Sequence, residues 1–157
     1  MRRFFADTFY WIALFSPRDQ WHARVLAFDA TLDAYHLYTT DEVLTEFLAF
    51  YSTANPTVRT RAVTFVRAVL DDADITVIPQ TRTGFLQGLD LYAARPDKQY
   101  SLTDCISMQV MRREGLTEVL TNDRHFTAGR VSYLVSVTGS LTTLSLMAPL
   151  RPLPKGQ

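Results

Sequence analysis

With a single cysteine, Cys105, in 157 residues, no disulfide can form within the chain, so the fold has to rest on a hydrophobic core. That usage suits a reducing compartment, and the cytoplasm is the expected location. Long apolar runs are also missing: none approaches the roughly 18 to 20 residues of a membrane-spanning helix. Arg2 and Arg3 are followed by Asp7, Arg18 and Asp19, not by the uninterrupted apolar stretch of a signal peptide. Charge of one sign is absent too, because 16 basic and 16 acidic side chains sum to +0. This excludes a polybasic surface and an acidic tail, and bulk charge alone does not announce a nucleic-acid binder. Only two of the sixteen basic residues are lysines (Lys98 and Lys155), which leaves fourteen arginines. Arginine is the better planar phosphate ligand, but the base composition of a gene gives the same bias. What remains is 47% apolar and 20% charged, without repeats, as expected of one globular domain with one core.

Short β-like runs alternate with longer helical patterns, which points to βαβ units on a parallel sheet. Strands are expected at 3–6, 36–39, 75–78 and 118–121. Helices are expected at 8–15, about 20–33, 41–51, 57–70, 82–95 and 102–114, the fifth interrupted by Gly88. Thr39 with Glu42, and Ser101 with Asp104, have capping-box spacing, and Gly115 ends the last helix. Val131–Val137 reads as a final strand, and Pro149, Pro152 and Pro154 mark a loose tail.

Four acids stand out by position. Asp7 and Asp123 each follow a strand at its carboxyl end, the edge where open α/β sheets bind ligands. Asp104 opens a helix whose ~15 Å length is matched by the ~16 Å of the strand returning to Asp123, so those two acids are expected to be neighbours. Glu46, in the second turn of its helix, leans back towards the same edge. Converging carboxylates repel one another, and a divalent cation relieves the repulsion. Oxygen ligands of this kind select Mg²⁺ or Mn²⁺. Against this stands a plainer reading, in which acids at helix starts are caps favoured by the helix dipole.

The segments Phe5-Ala6-Asp7-Thr8, Thr39 to Phe47 ending in Thr45-Glu46-Phe47, Ser101-Leu102-Thr103-Asp104 and Leu120-Thr121-Asn122-Asp123 resemble, in order, the four acidic motifs of PIN domains. The likeness is nearest to the compact VapC-like ribonucleases of bacterial toxin–antitoxin pairs. It implies a three-layer α/β/α sandwich on a central parallel sheet, spanning residues 1–138, followed by an atypical tail at 139–157. It also implies Mg²⁺- or Mn²⁺-dependent hydrolysis of RNA phosphodiesters. Asp7 and Asp104 would be the main metal ligands and catalytic groups, completed by Glu46 and Asp123, with Thr8 and Asn122 orienting them by hydrogen bonds. The implied partners are an RNA substrate and a small antitoxin. Alternatives are a catalytically silent PIN-like module that binds RNA or protein, and a small-molecule phosphohydrolase on the same edge.

His125 reads as a packed loop residue and Cys105 as a small buried hydrophobe. Arg59, Arg61 and Arg67, and separately Arg112, Arg113 and Arg124, read as solvated faces that would also suit phosphates. Phe4, Phe5, Phe9, Trp11 and Trp21 read as core or dimer surface and not as base-stacking platforms, which puts a homodimer among the expected assemblies. Beyond Phe126 the chain departs from the family's Gly-aromatic ending. Either a genuine extension packs on the sheet or binds a partner, or a shift of reading frame has replaced the usual end.

Overall fold

The computed structural model describes residues 1–122 and the two-residue strand Ser132–Tyr133. Expectations for Asp123, Arg124, His125, most of the 131–137 strand and the tail fall outside the described residues. In chain order the elements are β1 (Arg2–Ala6), α1 (Thr8–Phe15), α2 (His22–Asp29), β2 (Tyr35–Thr40), α3 (Asp41–Phe50) and α4 (Pro56–Asp71). These are followed by β3 (Ile75–Ile78), α5 (Arg82–Ala94), α6 (Leu102–Glu114), β4 (Glu118–Leu120) and β5 (Ser132–Tyr133).

The strands form one parallel sheet in the order β3-β2-β1-β4-β5. From β1 the chain steps to β2 and β3 on one side, then crosses back to β4 on the other. With right-handed crossovers, α1 to α4 cover one face and α5 and α6 the other. Phe4 and Phe5 point to opposite faces of β1 and both have no exposed surface, so the sheet is buried on both sides. The result is the three-layer α/β/α sandwich expected. Because the strand order reverses at β1, the crevice between the carboxyl ends of β1 and β4 is the topological switch point.

Local chemistry sets the helix starts. Asn55 caps α4 by accepting from Val58 N at 3.0 Å, with Pro56 in its first turn. Thr81 caps α5 through Gly84 N at 2.9 Å. The Ser101–Asp104 capping box forms in both directions, and Gly115 at φ 65° terminates α6. At α3 the expected cap is displaced by one residue: Thr40, not Thr39, accepts from Val43 N at 3.2 Å. Thr39 faces inward instead, accepting from Trp11 Nε1 at 3.1 Å and donating to Ala6 O at 2.9 Å. Above the sheet, Phe15, Phe47, Tyr51 and Phe65 pack with ring centroids 4.8 to 5.5 Å apart. Tyr10 Oη donates to Asp29 and ties α1 to α2, and burial pushes the Asp29 carboxyl up to about 6.

Two further expectations change. The second helix is shorter than expected, ending at Asp29 instead of Asp33. Gly88 does not interrupt α5, because its missing side chain lets α6 approach: a Cβ there would lie 2.4 Å from Ile106 Cγ1. A Gly88→Ala variant therefore gains helix propensity but overpacks beside the α6 backbone. A net loss of about 1–2 kcal/mol is expected from urea unfolding. In combination with Ile106→Ala the loss should be smaller than the sum of the two single changes. Strict additivity would show that the approach of α6 is not the cause.

Candidate active site

The carboxyl ends of β1 and β4 open onto a cleft of about 510 Å³ lined by Asp7, Phe9, Glu46, Ser101, Asp104, Thr121 and Asn122. Register brings its two walls together: Ala6 pairs with Leu120, and Asp7 N donates to Leu120 O at 3.3 Å. The next residues along each chain, Asp7 and Thr121, are thus side by side although far apart in sequence. Thr121 is fully buried and donates its hydroxyl to Asp7 Oδ2 at 2.9 Å.

Asp7 occupies the N-cap position of α1, yet its side chain makes no capping hydrogen bond to that helix. The usual N-cap hydrogen bond therefore does not account for this acid. It is 6% exposed, and burial lifts its carboxyl from 3.8 to about 7. The Thr121 hydroxyl and Thr8 N–H oppose that rise, while the nearby charges of Asp104 and Glu46 add to it. Glu46, half-buried on α3, accepts from the hydroxyl of Thr8. Asp104 has both roles: its Oδ2 accepts from Ser101 N at 2.7 Å as part of the cap, and its side chain lines the cleft.

Of the residues singled out in the sequence, Asp7, Glu46, Asp104, Thr8 and Asn122 are gathered here. Thr8 orients Glu46, and Asn122 is an exposed lining residue. Asp123 falls outside the described residues. Thr121 was not singled out, and its signal was a hydroxyl at the end of an apolar strand. Phe9, expected in core or dimer surface, lines the cleft and is half-buried.

The three carboxylates face one cleft without closing on one point. Among the described residues no three His, Cys, Asp or Glu groups stand close enough to hold an ion outright. The donor set nevertheless suits a hard divalent cation. It consists of carboxylate oxygens only, and its most buried member is made uncomfortable as an anion by burial and by the other two charges. Asp7, Glu46 and Asp104 are the residues that would hold such an ion.

A family model for the PIN domain matches residues 4–130. The crystal structure of Mycobacterium tuberculosis VapC20, described as a sarcin-ricin loop cleaving toxin, is similar in fold, with a TM-score of 0.70 at 23% identity. The likeness covers 80% of this chain and 93% of that one. No curated protein matches.

Proposed function

The chain belongs to the PIN domain family, and from that premise we propose that it is a Mg²⁺- or Mn²⁺-dependent endoribonuclease, the toxin of a toxin–antitoxin pair. One observation carries the reading: Asp7, Glu46 and Asp104 line a single cleft at the switch point of the sheet, each carboxylate held by a neighbouring donor. Asp123, two residues beyond Thr121, is proposed as the fourth acid. A bound cation would polarise the scissile phosphate and lower the pKa of the attacking water. Thr121 fixes one oxygen of Asp7, Thr8 fixes Glu46, and the Ser101 N–H fixes Asp104, so the carboxylates need little reorganisation to bind. The proposed partners are RNA and a small antitoxin that blocks the cleft, with a homodimer as the proposed assembly. Among the described residues no helix is long and apolar enough to cross a membrane, and action in the cytoplasm is part of the proposal.

The test is cleavage of structured RNAs with Mn²⁺, with excess chelator, and by Asp7→Asn protein. Activity that survives both chelation and the substitution would overturn the reading. Thr121→Val removes the hydroxyl with little change of shape. It should weaken Mn²⁺ binding about 10- to 100-fold by calorimetry, the range for a partner that orients a ligand. Thr121→Ser should recover most of that loss.

A further inference from the structure

We propose that Phe9 is a stacking platform for an unpaired RNA base beside the bond that is cut; this rests on the ribonuclease reading above. The aromatic residues of the first motif separate sharply. Phe4 and Phe5 are fully buried in the sheet, whereas Phe9, the second residue of α1, is half-buried and lines the acidic cleft. An apolar ring among three carboxylates is of no use to a bare ion or to a small polar ester. A nucleotide has both parts required: a phosphate for a cation held by the acids, and a flat base for the ring. Base–aromatic stacking tolerates any base, but it needs a base that is not already stacked in a duplex.

Phe9 is also braced. Trp21 meets it edge-on, with centroids 5.8 Å apart and ring planes at 72°. Trp21 is held in turn: its backbone N–H donates to Asp19 Oδ1 at 2.8 Å, and the guanidinium of Arg24 lies over its ring at 5.4 Å. The adjacent His22 Nδ1–H donates to Ala13 O at 2.7 Å and pins this turn to α1. The ring that would receive a base is thus fixed before substrate arrives, so little ordering cost falls on binding.

The experiment uses a mixed-sequence single-stranded RNA whose cut site has been mapped with the wild-type protein and Mn²⁺. The same RNA is prepared with an abasic residue on each side of that site, and as a full duplex. Phe9→Leu should raise KM about 10- to 100-fold, the range for one lost stack, with little change in kcat or melting temperature, and Phe9→Trp should restore it. On one of the abasic RNAs the wild type should show the same loss and Phe9→Leu no further loss. The duplex should resist cutting. Wild-type cleavage by Phe9→Leu would overturn the proposal and assign the ring to a protein partner. A Phe9→Leu defect that persists in full on both abasic RNAs would overturn it in favour of a structural role, and efficient cutting of the duplex would also overturn it. Equal cleavage by Asp7→Asn would instead remove the ribonuclease reading itself, and this inference with it.

Discussion

Replacing Asp7 with Asn should lower RNA cleavage by at least about 1000-fold, yet should make the metal-free protein more stable at pH 8. The first effect is the expected loss of one of the carboxylates proposed to carry the chemistry. Three powers of ten correspond to about 4 kcal/mol of transition-state stabilisation, within the several kcal/mol that a cation supplies to a phosphoryl centre. The second effect follows from burial. A carboxyl held near 7 in the fold, against 3.8 when unfolded, binds its proton more tightly in the native state. Ionised Asp7 therefore costs stability: nothing below pH 3.8, increasingly as pH rises towards 7, and fully above it. At about 1.4 kcal/mol per pKa unit the cost is bounded by about 4 kcal/mol. An amide that keeps the Thr121 contact should recover about half, near 5 °C in melting temperature for a chain of this size. The two proteins should melt together at pH 4 and diverge by pH 8 in chelator. On the proposed metal site, added Mn²⁺ should then raise the wild type far more than the variant, since a ligand of the folded state stabilises it. If Asp7→Asn melts below the wild type at pH 8 without metal, the buried carboxylate is not the strained group described.

That dual character explains why the acids could be read from the sequence while their setting could not. Asp7 after an apolar strand, and Ser101 with Asp104 at capping-box spacing, are local patterns, and the structure forms both. The choice between Thr39 and Thr40 as cap is not local. Both are β-branched hydroxyl residues at a strand end, and the pleat of β2 decides which one turns inward to Trp11 and Ala6. Thr121 and Asp7 are joined only by the parallel register of β1 and β4, which no spacing within either segment reveals. Gly88 reads locally as a helix breaker, and only the approach of Ile106 gives it a reason to be there. Phe9 belongs with the other aromatics by composition, and is set apart by its place at the mouth of the switch point.

Phe47→Ala should be strongly destabilising, and it separates the scaffold from the chemistry. Phe47 has no exposed surface and meets Phe15 at 5.5 Å, Tyr51 at 5.2 Å and Phe65 at 5.4 Å. Removing a buried phenyl ring costs about 3–5 kcal/mol, from lost transfer energy and the cavity left behind. Set against a typical total of about 5–15 kcal/mol, that is enough to leave much of the protein unfolded at 37 °C, with melting lowered by about 10 °C. Phe47→Leu keeps most of the volume and loses chiefly the ring–ring contacts, so about 1–2 kcal/mol is expected. Phe47 directly follows Glu46 on α3, so the two positions form a control pair. Phe47→Leu should bind Mn²⁺ like the wild type while melting lower, and Glu46→Gln should melt like the wild type while binding Mn²⁺ more weakly. If Phe47→Leu loses Mn²⁺ affinity in proportion to its stability, the orientation of Glu46 depends on aromatic packing behind α3 as well as on the Thr8 hydroxyl in front of it.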